Sequence, residues 1–303
     1  MSCTPPDGVV LVDKPSGLTS HDVVARVRRL CGTRRVGHAG TLDPMATGLL
    51  LVGVGRATRL LAFLVGMPKA YAGTIRLGQA TTTDDAEGTL TASAGVREGT
   101  EDLLPAALDT LRGEILQVPA SVSAVKVAGK RAHARVRAGE DVELPARPVT
   151  ISRLDVVARR PGTALDGTPV LDLEVVVECS SGTYVRALAR DLGATLGVGG
   201  HLTALRRTAV GPFDAREART LEVLAGESDT GGVRLATMTD IATRCFPTVV
   251  LGEEDSARLR HGAPLAAAPA AGVHAALAPD GHLIALVENR AGAARARLVV
   301  DPA

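Results

Sequence analysis

The chain has 303 residues, 46% hydrophobic and 22% charged, a globular composition with room for one large core or two domains. Its net charge of +1 excludes no class of partner, because local faces and not totals attract ligands. Four widely spaced cysteines, Cys3, Cys31, Cys179 and Cys245, form no C-x-x-C pair, so neither a disulfide framework nor a cysteine zinc site is indicated and a reducing compartment is expected.

In chain order, Met1 to Gly8 lacks the basic and apolar regions of a secretory signal. No apolar run reaches the roughly 18 residues a membrane span needs, so a cytoplasmic, soluble protein is expected. Val9 to Val12 reads as a short buried strand, and Asp13 to Gly17 as a turn. A helix follows, with Thr19 and Asp22 at capping-box spacing and Val23, Val24, Val27 and Leu30 on one stripe. Gly37 to Gly48 reads as a loop, and Leu49 to Val54 as a buried strand. Thr74 to Leu77 is a strand, and Thr81 to Gly88 an acidic turn whose Asp84, Asp85 and Glu87 are ordinary turn chemistry. Glu101 to Leu111 is an amphipathic helix that Thr100 is placed to cap.

Val118 to Val149 carries six basic residues against three acids with poor apolar periodicity, and reads as a basic surface excursion. Leu171 to Glu178 alternates as a half-buried strand. After the turn Ser180 to Thr183, a helix runs to Leu196, with Tyr184, Leu188 and Leu192 at helical spacing. Gly226 to Gly232 and Ala266 to Ala271 are linker candidates. Beyond Phe246 come a strand (Thr248 to Leu251), a short helix (Glu253 to Arg260) and two strands around Pro279-Asp280-Gly281, a small β-rich module. The domain boundary is expected between Thr230 and Phe246.

Charge is uneven along the chain. Ser20 to Gly37 holds five arginines against one acid, and Gly53 to Gly78 holds Arg56, Arg59, Lys69 and Arg76 against none. These runs flank the glycine-rich segment, although solvated faces also produce such runs. P-loop and dinucleotide-binding glycine motifs are missing, and the seven histidines show no metal-ligand spacing, which leaves a metal-dependent nuclease as a weak alternative.

Within Gly37 to Gly48, Pro44 biases Asp43 toward an extended conformation, and the glycines permit close approach of a ligand. An acid so presented suits a nucleophile or base, while the dipeptide alone also fits a plain turn. Aromatic residues are scarce: no Trp, three Phe and two Tyr. Tyr71 and Tyr184 both have basic neighbours, a pairing that suits stacking of an unpaired nucleobase, although Tyr184 on its apolar stripe also fits a core role.

Five ordered blocks carry a resemblance spanning about Gly8 to Phe213. They are Lys14-Pro15-x-Gly17-x-Thr19-Ser20, Gly37 to Gly48 with its Leu42-Asp43-Pro44, Lys69-x-Tyr71, Ser181 to Arg186, and Leu205-Arg206-Arg207. Together they resemble the TruB family of tRNA pseudouridine synthases. The resemblance implies isomerisation of uridine 55 in the T-loop of tRNA to pseudouridine, with the base flipped out and no cofactor. It implies that Asp43 is the catalytic carboxylate, Arg186 its ion-pair partner, and Tyr71 the ring that stacks on the base and takes the C5 proton. By the same resemblance Tyr184 and Leu205 pack around the base, His38 enters the space the nucleotide leaves, and Lys14 with Pro15 buttresses the loop.

Arg59 and the excursion's Lys126, Lys130 and Arg131 are expected to hold RNA. His133 stands where the family pattern calls for tyrosine. The expected fold is α+β, with a mixed, largely antiparallel sheet in a catalytic domain over residues 8–240 and a PUA-like domain over 245–303. The expected partner is the T-arm stem-loop, bound by a monomer with no obligate protein partner and no membrane. A non-catalytic RNA-binding or tRNA-folding protein, or a synthase acting on another RNA, are the alternatives.

Overall fold

A computed structural model describes residues 7–119, 126–127, 130–131, 145–268 and 270–301. Among them, nine strands form one sheet, seven of which run in the order Gly8–Lys14, Thr47–Val54, Gly200–Val210, Lys69–Leu77, Pro169–Cys179, Arg147–Thr163, Gly113–Gln117. Every pairing is antiparallel except that of Gly200–Val210 with Thr47–Val54, where Arg206 faces Thr47 and Arg207 faces Gly48. The expected α+β class with a mixed, largely antiparallel sheet is what forms. At the parallel junction the strands approach so closely that a Cβ on Gly48 would sit 2.3 Å from the Arg207 carbonyl oxygen, and Gly48 also has φ +97°. Only glycine fits there, and the junction joins the glycine-rich segment to the sheet centre.

The alternation read in Leu171 to Glu178 is realised: Leu171, Leu173, Val175 and Val177 are buried. They pack with Leu104 and Leu108 of the helix Thr100–Asp109 and Leu188 and Leu192 of the helix Val185–Thr195. The opening strand is buried on both faces. Val10 and Val12 meet Val23, Val24 and Val27 of the helix Ser20–Leu30, while Val9 and Leu11 face Phe213, Ile241 and the C-terminal module. The capping box of Thr19 and Asp22 closes as expected.

That module is a five-stranded sheet in the order Thr248–Val250, Val273–Leu277, Leu283–Arg290, Ala293–Val299, Leu265–Ala266, with the helix Glu253–Arg260 against it. Its Ala275, Leu277, Leu283 and Leu286 share a cluster with Leu49, Leu51 and Leu64 of the larger unit. Apolar packing therefore continues from one unit to the other.

Four local expectations are corrected. Gly37 to Gly48 is not all loop, because Val36–Ala39 pairs with Thr47–Val54 and the absence of side chains at Gly37 and Gly53 lets Leu61 pack over both. Thr100 is not a cap. It is the first helical residue, its hydroxyl accepts the Arg97 N–H, and left-handed Gly99 stands at the N-cap. Gly226 to Gly232 is mostly helical: Thr220 caps the helix Leu221–Thr230, which Leu221 and Leu224 anchor in the core. Tyr184 lies before its helix in an extended conformation (φ −102°, ψ 103°), so it is not on the helical stripe.

In the basic excursion, Lys126–Val127 pairs with Lys130–Arg131. The side chains of Lys126, Lys130 and Arg131, and all of His133, lie outside the described residues. Among those described, no helix is long and apolar enough to cross a membrane, and Cys31, Cys179 and Cys245 are free thiols.

Candidate active site

In the segment Gly40 to Ala46, Leu42 and Ala46 are buried, Thr41 is exposed and the rest are half-buried, and carbonyls shielded from water there need donors from the protein. Three polar side chains supply them. Ser20, the first residue of its helix, donates its hydroxyl to the Leu42 carbonyl (3.1 Å) and accepts the Leu42 N–H (2.8 Å). Lys14 is fully buried, and its ammonium donates to the carbonyls of Pro15 (2.9 Å), Leu18 (2.7 Å) and Pro44 (3.1 Å). Burial pushes its pKa down to about 8 against the pull of Asp43 and Glu87. Arg207, 1% exposed, donates to the carbonyls of Leu49 (2.7 Å), Gly40 (3.2 Å) and Thr41 (3.4 Å). The three anchor the segment on both sides of Asp43.

Asp43 then faces Arg186, the second residue of the helix Val185–Thr195, with Nε 3.0 Å from Oδ2. The guanidinium is buried and is itself held from behind. Its Nη1 lies 3.2 Å from Asp85 Oδ2 and donates to the Thr83 carbonyl at 2.9 Å. Asp85 is equally buried, and its other oxygen accepts the Thr83 hydroxyl (2.5 Å) and the Glu87 N–H (3.1 Å). Two carboxylates thus share one guanidinium. Burial raises the Asp43 pKa, Arg186 opposes that rise, and the charge on Asp85 adds to it.

Tyr71, on the strand Lys69–Leu77, is the third wall. Burial raises the pKa of its hydroxyl, and the positive charge of the Arg207 guanidinium opposes that rise. Lys69 donates to the carbonyls of Val65 (2.5 Å) and Met67 (2.6 Å), and burial with Arg207 nearby pushes it down to about 8. These groups line a cleft of about 590 Å³ with His38, Tyr184, Leu205 and the turn Ser180 to Thr183, within the roughly 300–1,000 Å³ typical of small-ligand sites. His38 packs edge-on against His21, ring centroids 5.5 Å apart, and burial lowers its pKa, which favours the neutral ring.

The fold therefore gathers Asp43, Tyr71, Arg186, His38, Tyr184 and Leu205 from four separate stretches, and sets Lys14 behind the floor. It does not bring Arg59 there: that residue is exposed on the 3-10 turn Gly55–Arg59, outside the cleft lining. Sequence reading missed Asp85, taken for turn chemistry, and the parts played by Ser20 and Arg207. For Arg207 a signal existed. Leu205 and Arg207 lie two apart on a strand and so share a face, which made a buried arginine readable once Leu205 was placed inside.

A family model described as "TruB family pseudouridylate synthase (N terminal domain)" matches residues 28–185. The chain is also 55% identical to the tRNA pseudouridine synthase B of Arthrobacter sp. (strain FB24), over 97% of each chain. The chain belongs to the TruB family. It is a pseudouridine synthase, an isomerase. Models described as "tRNA pseudouridylate synthase B C-terminal domain" and "tRNA Pseudouridine synthase II, C terminal" match residues 186–230 and 246–301 of this TruB-family chain. The tRNA pseudouridine synthase B of Rhodococcus jostii (strain RHA1) is 56% identical, over 98% of this chain and 94% of its own. Among solved structures, the archaeal box H/ACA sRNP Nop10-Cbf5 complex aligns at a TM-score of 0.69 and 26% identity, over 97% of this chain and 86% of that one. An H/ACA RNP bound to a substrate RNA containing 2′-deoxyuridine aligns at 0.70 and 25%, over 97% and 85%.

The anchoring of the loop in this synthase yields a stability prediction. Lys14→Met keeps the volume but leaves three inward-facing carbonyls without their donor, which should cost about 2–3 kcal/mol. Urea unfolding should show a lowered midpoint, and a midpoint equal to that of wild type would contradict the anchoring role.

Proposed function

We propose that this chain converts uridine 55 in the T-loop of tRNA to pseudouridine, with Asp43 as the catalytic carboxylate. The observation that carries the reading is the Asp43–Arg186 pair at 3.0 Å on the floor of a cleft walled by Tyr71, Tyr184 and Leu205. A cleft of this size admits one nucleotide and not a helix, so the target base must leave its stack, at a cost of a few kcal/mol. Aromatic stacking on Tyr71 returns part of that cost. The bond from ribose C1′ to N1 breaks, the uracil turns, C1′ bonds to C5, the C5 proton leaves and N1 takes one up. Product and substrate hold the same atoms, so no co-reactant is consumed.

Asp43 acts in its ionised form, whether at C1′ or on a sugar proton. Arg186 aims it and keeps it charged despite burial, and Asp85 fixes Arg186. Tyr71 receives the C5 proton as its phenolate and becomes a neutral phenol; the charge of Arg207 beside it favours the phenolate that the step requires, against the burial that opposes it. A protein that only binds RNA has no need of a carboxylate facing phosphates, which favours catalysis over the tRNA-folding alternative. The 52–56% identity to curated relatives named for tRNA, against 25–26% to the two H/ACA complexes, favours tRNA over another RNA. In this reading residues 8–240 form the catalytic domain and 245–303 an appended PUA-like domain. The excursion, through Lys126, Lys130 and Arg131, grips the stem-loop. The enzyme works in the cytoplasm as a monomer without an obligate protein partner.

Tritium release from a T-arm stem-loop labelled only at C5 of uridine 55 tests the proposal; release is expected without added nucleotide or metal, and tight binding without release would refute it. Tyr71→Phe should keep stem-loop affinity within several-fold and slow turnover by roughly a hundredfold or more, because stacking survives and the hydroxyl does not. Unchanged turnover would move proton removal elsewhere. Because burial raises the Asp43 pKa, activity should be present above that value and fall as pH drops through it, giving an acid limb above the ordinary aspartate value of 3.8. A rate that stays flat to pH values near 3.8 would contradict this.

A further inference from the structure

Gln117 ends the strand Gly113–Gln117 at the point where the chain leaves for the basic excursion, and it is 2% exposed. Its side-chain amide pairs with the backbone of a residue distant in sequence. Nε2 donates to the Tyr184 carbonyl at 3.0 Å, and Oε1 accepts the Tyr184 N–H at 2.8 Å. Tyr184 immediately precedes the helix whose second residue is Arg186. One residue further along the departing chain, the Val118 carbonyl accepts from Arg190 Nη2 at 2.8 Å, and Arg190 Nη1 lies 3.3 Å from Asp84, the neighbour of Asp85. The two residues at the root of the excursion are therefore tied to the chain on either side of Arg186. The returning strand is tied nearby: Arg147 pairs with Gln117, and Thr150 and Ser180 exchange two hydrogen bonds at the turn that lines the cleft.

We propose that Gln117 is a positioning residue for pseudouridylation: it fixes the main chain at Tyr184 so that Arg186 meets Asp43, linking the root of the excursion to the catalytic ion pair. The proposal rests on the reading of Asp43 as the catalytic carboxylate. A side-chain amide is suited to this task because it supplies one donor and one acceptor in a plane, matching one residue's carbonyl and N–H as a neighbouring strand would. Without it, both backbone groups lose a partner, the start of the helix shifts, and the 3.0 Å contact of Arg186 with Asp43 lengthens.

The test is single-turnover tritium release, with enzyme in excess over the labelled stem-loop, for wild type, Gln117→Met and Gln117→Glu. Gln117→Met fills the same space without either hydrogen bond. At saturating enzyme it should be slower by about ten- to a hundredfold with stem-loop Kd within about threefold, the profile of a displaced catalytic group. Its acid limb should move to higher pH, since Asp43 has lost part of the cation that keeps it ionised. A Gln117 that merely stabilises the fold would lower the melting temperature and leave the saturated rate constant and the acid limb as in wild type, which overturns the proposal. Gln117→Glu serves if the methionine variant does not fold. Its deficit relative to wild type should be large at about pH 8 and shrink toward about pH 6, where the new carboxyl regains a proton to donate, whereas parity with wild type at both overturns the proposal. No release by wild type would instead refute the reading of the reaction itself.

Discussion

A half-buried carboxylate carried on a loop stays ionised and aimed only if the loop's own backbone is anchored and a cation faces the charge. Asp43 meets both conditions. Its loop is partly buried, and the carbonyls of Gly40, Thr41, Leu42 and Pro44, with that of Leu49 on the strand that follows, are each met by a donor from Arg207, Ser20 or Lys14. Much of the rest of the catalytic unit can be understood as what delivers those donors. The strand Gly200–Val210 must run parallel to Thr47–Val54 for Arg207 to reach the loop, and that approach demands Gly48. The opening strand must end at Lys14 and the next helix begin at Ser20 for the other two.

The electrostatics follow the same logic. Arg186 and Asp85 are both buried, an arrangement that is costly unless the charges are paired and hydrogen-bonded. Here Asp85 is satisfied by Thr83 and Glu87, and Arg186 is fixed between two carboxylates and a carbonyl. The result is a rigid cation that cannot swing away from Asp43. Arg207 extends the same design, holding the loop through its carbonyls and placing a positive charge where it acts on the Tyr71 hydroxyl, so one side chain serves both the acid's loop and the aromatic wall. Neutral His38 and half-buried Tyr184 complete a cleft whose floor is charged and whose walls are apolar or aromatic.

What the sequence revealed depended on whether the signal was local. The alternation of Leu171 to Val177 and the capping box of Thr19 and Asp22 are local, and both formed as read. The strand Val36–Ala39 was hidden because four residues containing a glycine and a histidine carry no alternation, and its partner is found only through the register with Thr47–Val54. The helix Leu221–Thr230 was hidden by Gly226, which reads as a linker residue until Leu221 and Leu224 are seen in the core. Asp43, Tyr71 and Arg186 stood out because each lies in an ordered block of a familiar pattern. Asp85 did not, since a carboxylate in an acidic turn acquires its meaning only when the fold brings Arg186 to it. Gln117 had no mark at all: its role depends on a main-chain pairing that no side-chain pattern records.

The central claim is that this whole scaffold serves one ionised carboxylate, and the most direct measurement is single-turnover pseudouridylation by Asp43→Asn with stem-loop affinity measured in parallel. The account predicts no detectable product with affinity within several-fold of wild type, because the amide keeps the shape and removes only the charge. Product formation at a rate near that of wild type would contradict it.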